Sequence, residues 1–153
     1  MIFDDIDRRL LVELQEEGRI TNVELAQRVG LTAPPCLRRV RALEERGAIR
    51  GYHAELDPVT LGFTITVFAM VSLKSQSEEA LRAFEDQMAE HPEVRECHML
   101  NGEIDFIVKI VSRDLGSFQQ FLTGKLTSTQ NVASVKTSLV IRSSKVKPGV
   151  PIG

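Results

Sequence analysis

Apolar residues recur along this chain with two spacings, and the change of spacing divides it. Up to about residue 47 the spacing is helical. Ile6, Leu10, Leu11 and Leu14 share one face of a first helix, which Asp4 or Asp5 can cap. Val23, Leu25, Ala26 and Val29 mark a short second helix, with Asn22 as its cap and Gly30 as the left-handed residue that ends it. A third helix starts at Thr32 as N-cap, with Pro34 and Pro35 in the first turn, where a missing N–H costs nothing. At ~100° per residue, Cys36, Leu37, Val40 and Leu43 form a buried stripe, with Arg38, Arg41 and Glu45 opposite and Arg39 on the flank. Ala26 lets the second and third helices approach closely, and Leu31 plugs the turn between them. A short helix, a glycine turn and a second helix with a basic face make a helix-turn-helix, the arrangement that inserts a helix into the DNA major groove.

Beyond Gly47 the period becomes that of strands. Ile49–Leu56 predicts a short strand, broken by Asp57-Pro58 and forming part of a linker. A long strand follows over Phe63–Leu73, then a helix capped by Ser75 or Ser77, with Leu81, Phe84 and Met88 facing inward and His91-Pro92 stopping it. Strands Val94–Leu100 and Ile104–Val111 flank Asn101-Gly102, a pair suited to a two-residue hairpin because both positions accept positive φ. Asp114 caps a last helix with the stripe Leu115, Phe118, Phe121, Leu122 and Leu126, and Val132–Ile141 is the final strand. The order βαββαβ is that of a ferredoxin-like unit. The fold class is therefore α+β, an N-terminal helix-turn-helix joined to a C-terminal ferredoxin-like βαββαβ domain. Its boundaries are 1–50 for the first domain, 51–61 for the linker strand, 62–144 for the second domain and 145–153 for a loose tail.

Two helices cover only one face of a four-stranded sheet. Yet the first strand is apolar on both, with Phe63, Ile65, Val67, Ala69 and Val71 on one side and Phe68 and Met70 on the other. The third strand likewise sets Ile107 and Val111 against Ile104, Phe106, Val108 and Ile110. The uncovered face calls for a second copy, and a homodimer also supplies two reading heads for a pseudo-palindromic site.

Composition narrows the function. The 153 residues have a net charge of −2, which argues against a generally basic nucleic-acid binder. Locally the balance differs, because Arg19–Tyr52 holds seven arginines against three acids, and a local basic face is what phosphate contact requires. No apolar run is long enough to span a membrane, the first residues lack a secretory pattern, and two lone cysteines suit a reducing cytoplasm. No catalytic residue or metal site is expected. Cys97 and His98 face opposite ways on one strand, Cys36 lies on a buried stripe, and neither a glycine-rich phosphate loop nor metal-ligand spacing occurs. An enzyme would have to pair Cys97 or Cys36 with His53, His91 or His98, or use Glu103 and Asp105 as acid and base, and the alternative to DNA binding is an amino-acid-binding oligomeric module that does not touch DNA.

Several stretches taken in order resemble the Lrp/AsnC (feast/famine) transcription regulators. They are Asp7-Arg8-Arg9-Leu10-Leu11, Gly18 through Ala26, Pro35-Cys36-Leu37-Arg38-Arg39-Val40, Gly47-Ala48-Ile49-Arg50-Gly51-Tyr52, Val94 through His98 and Gly102-Glu103-Ile104-Asp105-Phe106. The resemblance implies a winged form of the helix-turn-helix and a C-terminal amino-acid-sensing domain. It also implies dimers that assemble further, often to octamers, with the amino acid bound between dimers.

On the matching positions, Thr32, Pro34, Pro35 and Arg38 lie at the groove, with Arg38 reading a base, since a guanidinium grips guanine through two hydrogen bonds. Arg41 serves the backbone, and Arg39 suits a phosphate contact or a structural ion pair. The sensing loop is Asn101, Gly102, Glu103 and Asp105, in which Gly102 offers an N–H to a carboxylate and Asp105 accepts an α-ammonium; the same residues also make an ordinary exposed hairpin. Val135 stands where the family often carries a threonine, Thr137 retains one, and Gln130-Asn131 replaces a common Pro-Gly. With Met99, Leu115 and Leu139 lining the rest, the expected effector is an apolar amino acid, leucine or methionine before lysine or asparagine. No other cofactor is expected.

Overall fold

The computed structural model describes residues 2–153, which form two compact units. One takes in the described residues up to Glu55 together with Lys145–Gly153, and the other is Leu56–Ser144.

The first unit contains α1 (Asp5–Glu16), α2 (Asn22–Val29) and α3 (Ala33–Glu45). Asp4 caps α1 by accepting from the Asp7 N–H at 2.8 Å. Thr21, not Asn22, caps α2, accepting from Glu24 N–H at 3.2 Å. Asn22 is used across the turn instead, where its Nδ2 donates to Ala33 O at 2.8 Å and ties the start of α2 to the start of α3. Gly30 ends α2 at φ +76°. Leu10, Leu25, Ala26, Val29, Cys36, Val40 and Leu43 make the core, with Leu31 packed against it. Leu37 departs from the expected stripe: it is 37 % exposed, because three helices this short enclose only the Cys36–Val40–Leu43 edge of α3.

The expected strand Ile49–Leu56 does not form, and no strand precedes Ile65 among the described residues. An extended segment becomes a strand only when a neighbour takes its hydrogen bonds, and this one has none. The first strand instead begins at Ile65, after a turn in which Asp57 accepts from Val59 and Thr60 N–H groups and Gly62 sits at φ +83°.

The tail is not loose. Gln15 Nε2 donates to Val150 O and Val150 N–H donates back to Gln15 Oε1, both at 2.8 Å, while Lys147 Nζ lies 3.8 Å from Glu16 Oε1. Gly149, at φ +76°, passes so close to Gln15 that a Cβ would overlap its amide. Gln15→Ala should therefore release the tail and speed amide exchange at Val150 by about tenfold or more. Unchanged exchange would show that the Gln15 pair does not hold the tail.

The second unit contains β1 (Ile65–Leu73), α4 (Glu78–Glu90), β2 (Val94–Met99), β3 (Phe106–Ser112), α5 (Leu115–Phe121) continued by a π-helical turn Leu122–Leu126, and β4 (Val132–Leu139). Ser77 caps α4 and Asp114 caps α5. The strands lie in the order β2-β3-β1-β4, all antiparallel, the arrangement a ferredoxin-like βαββαβ chain produces. Both helices pack on one face, where Phe84, Met88, Phe118, Phe121 and Leu126 meet Val67, Ala69, Val71, Phe106, Val108 and Ile110. Leu115, expected in that stripe, is 60 % exposed at the first position of α5. On the other face, Phe68, Met70, Ile107 and Val111 are half-buried and carry no helix.

Candidate nucleic-acid interface and effector loop

The face of α3 that points away from the core is built by its first two turns. Thr32 stands at the N-cap with its hydroxyl making no capping bond, and Pro34 beside it is exposed while Pro35 is half-buried. Arg38 and Arg41 follow on the outer face, both exposed and in no ion pair among the described residues. Arg39 differs. Its Nη1 lies 2.7 Å from Asp4 Oδ2 and 2.9 Å from Asp7 Oδ1, which makes the ion pair the contact the structure shows. The Asp7 N–H first, and then Arg39, hold the Asp4 carboxyl below its ordinary range, and the two carboxylates raise the guanidinium pKa of Arg39. Asp7 is almost buried, so Arg39 neutralises a charge that would otherwise sit unpaired between α1 and α3.

Sequence reading missed a second arginine of this kind. Arg28 binds Glu13 at 3.0 Å, Glu17 at 3.0 Å and Glu24 at 2.7 Å, while Arg9 donates to Arg28 O at 2.8 Å. Only the Glu24–Arg28 spacing was visible in the sequence; the other contacts depend on how α1 crosses α2. Two arginines are thus spent on fastening helices, while Arg38 and Arg41 remain directed outward from α3, whose N-terminus also favours phosphate.

In the second unit, the loop between β2 and β3 is wider than the expected two-residue hairpin. Strand β2 ends at Met99 and β3 starts at Phe106, and Gly102 is not among the glycines at positive φ. Asp105 explains the difference. Its N–H donates to Val71 O at 2.9 Å, and its Oδ2 accepts from Leu73 N–H at 2.7 Å and from Gln76 Nε2 at 3.4 Å. Leu100 N–H closes the loop on Asp105 O at 2.9 Å. With its base closed by that bond, the loop has four residues, 101–104, and Asn101, Gly102 and Glu103 are exposed.

The expected effector residues divide into two groups within one chain. Met99 (57 % exposed), the loop and half-buried Val135 gather at the Val71 end of β1, through the pairs Met99↔Phe106, Val71↔Phe106 and Val71↔Val135. Leu139 pairs with Val67 towards the other end, and Leu115 follows Ser112, which pairs with Ile65. Exposed Thr137 lies between them, opposite Ala69. At ~3.3 Å per residue, Val71 lies about 13 Å from Val67 and about 20 Å from Ile65, so an amino acid held at the loop does not reach the Leu115 end.

Neither thiol is activated. Burial pushes Cys36 up and, with Glu85 adding to it, Cys97 up to about 11, so both are protonated near neutral pH. No helix among the described residues is long and apolar enough to cross a membrane.

Comparison with known proteins matches a family to each part of the chain. Residues 3–50 match a winged helix-turn-helix DNA-binding family, and residues 66–150 match the Lrp/AsnC ligand binding domain. The chain is 54 % identical over 142 residues to the leucine-responsive regulatory protein of Rhizobium meliloti, covering 93 % of this chain and 91 % of that one. It is 38 % identical over 149 residues to the Bkd operon transcriptional regulator of Pseudomonas aeruginosa, covering 97 % of each. The crystal structure of a Neisseria meningitidis transcriptional regulator in complex with L-methionine superposes with a TM-score of 0.93 at 35 % identity, over 98 % of this chain and 97 % of that one. A helix-turn-helix with an outward arginine face, joined to a ligand-binding sheet domain of this likeness over almost the whole chain, makes this protein a member of the Lrp/AsnC family of transcriptional regulators.

Proposed function

We propose that this regulator reads double-stranded DNA with the first turns of α3 and adjusts its assembly or DNA binding to a small apolar amino acid. The observation that carries the DNA assignment is the contrast on α3: Arg39 is engaged by Asp4 and Asp7, while Arg38 and Arg41 face solvent. Arg38 contacts a base, and Thr32, Pro34 and Pro35 set the approach of the helix N-terminus. Arg41 meets phosphate. Arg38→Ala should lose about 1–3 kcal/mol of preference for a selected site over random duplex, as removal of a bidentate base contact does. Arg41→Ala should weaken all duplexes alike and lower the salt slope by about one. Wild-type behaviour of both variants in salt-dependent binding titrations would overturn the assignment.

The open sheet face supports a homodimer, because Phe68, Met70, Ile107 and Val111 are apolar positions that no helix covers. Dimers then assemble further, to an octamer. The separation of Met99, Asp105 and Val135 from Leu115 and Leu139 favours an effector site completed by another copy, between dimers. Exposed Met99 and Leu139, with Val135 rather than a hydroxyl residue, favour leucine or methionine as the effector. A regulator bound to DNA works where the DNA is, and the assigned location is the cytoplasm. In sedimentation, Met70→Glu should shift the full chain from an oligomer towards the 17.1 kDa monomer. A monomeric wild type at micromolar concentration would overturn the assembly. Calorimetry with the apolar amino acids at millimolar concentration tests the effector.

A further inference from the structure

Leucine 37 is out of place for a core residue. On α3 the core takes Cys36 at 0 %, Val40 at 8 % and Leu43 at 1 % exposure, while Leu37 is 37 % exposed and is not part of the packed cluster. At ~100° per residue it lies a quarter-turn from Cys36, one turn after Pro34 and one turn before Arg41. Those neighbours are on the surface that also presents Arg38. An isobutyl group is therefore held on a rigid, proline-started helix among guanidinium groups, on the face assigned to DNA.

A major groove offers such a group one apolar partner. The edges of guanine, cytosine and adenine present hydrogen-bonding atoms and ring C–H groups there, whereas thymine alone adds a C5-methyl group. We propose that Leu37 is a specificity-determining residue that packs against the C5-methyl of a thymine close to the base read by Arg38. The assignment rests on the DNA-binding reading of α3 and deepens it. The two residues divide the work by chemistry: Arg38 selects by hydrogen bonds and Leu37 by apolar contact. Leu37 gains nothing from phosphate, so its contribution to binding is insensitive to salt, unlike that of Arg41.

The test uses the full-length protein and a duplex that the wild type selects from a random pool. Each thymine is replaced in turn by deoxyuridine, which removes only the methyl group. At one or two positions per half-site the wild type should lose about three- to tenfold in affinity, and a 5-methylcytosine·guanine pair there should bind more tightly than the unmethylated cytosine·guanine pair. Leu37→Ala should bind the thymine and uracil forms equally there, and Leu37→Met should keep the preference. Leu37→Gln, which preserves length and helix propensity, replaces the alanine variant if that variant melts early. Equal binding of thymine and uracil by the wild type at every position overturns the inference, as does the same discrimination in Leu37→Ala or Leu37→Gln. In either case salt-dependent, Arg38-dependent binding leaves the DNA reading standing. Failure of the wild type to bind any duplex would remove both.

Discussion

Phe106→Ala should remove about 3–5 kcal/mol from the stability of the second unit, a large part of the 5–15 kcal/mol a domain commonly has. Phe106 is fully buried, its ring centroid lies 4.7 Å from that of Phe84, and its backbone pairs with Val71 on β1 and Met99 on β2. A truncated side chain leaves a cavity at the centre of the sheet that α4 cannot collapse to fill, since Phe84 and Met88 are already packed. The neighbouring residue is Asp105, so the loop proposed to hold the effector loosens with the core. Denaturant unfolding of the full chain checks the cost, and a thermal-shift titration checks the loss of effector response. Leu115→Ala, at a 60 % exposed position, should change stability by less than about 0.5 kcal/mol in the same assay. Equal effects of the two substitutions would mean that the inner face of β3 has been assigned wrongly.

Asp105→Ala should cost about 1–3 kcal/mol, the penalty for leaving a buried donor without a partner. That donor is the N–H of Leu73, a residue only 3 % exposed, which gives its hydrogen to Asp105 Oδ2. Asp105 thus closes the end of β1 as well as being the residue assigned to the effector ammonium, and alanine removes both roles at once. Asparagine separates them. Asp105→Asn keeps an oxygen for Leu73 and should recover most of the stability, yet it lacks the charge and should still bind the amino acid weakly. Wild-type stability in Asp105→Ala would show that the Leu73 bond contributes nothing. Wild-type affinity in Asp105→Asn would remove the carboxylate from the effector site.

Local chemistry was legible without coordinates. The three N-terminal helices, the Gly30 turn, the proline start of α3 and the cap Asp114 follow from residues a few positions apart, while the choice of Asp4 over Asp5 and of Ser77 over Ser75 was left open. So does the βαββαβ order, because alternation and helical stripes are written in nearest neighbours. The two-sided apolar character of β1 and β3 was equally plain, and with it the open face of the sheet.

Other features depended on partners far away in the chain, and there the tertiary structure decided. Asn101-Gly102 has the composition of a tight hairpin, but Asp105 is fixed to Val71 and Leu73, more than thirty residues upstream, and the turn closes between Leu100 and Asp105 instead. Ile49–Leu56 alternates like a strand but lacks the neighbour that would make it one. Residues 145–153 look unstructured until Gln15, 135 positions before Val150, takes up their backbone groups. Arg38 and Arg39 are adjacent and identical in type, yet only Arg39 lies within reach of Asp4 and Asp7. Leu37 falls on the apolar side of a helical projection but outside the edge that α1 and α2 enclose. In each instance the sequence determined what a residue is able to do, and packing between distant segments determined which of those abilities is used, because burial and long-range hydrogen bonds exist only once the chain has folded.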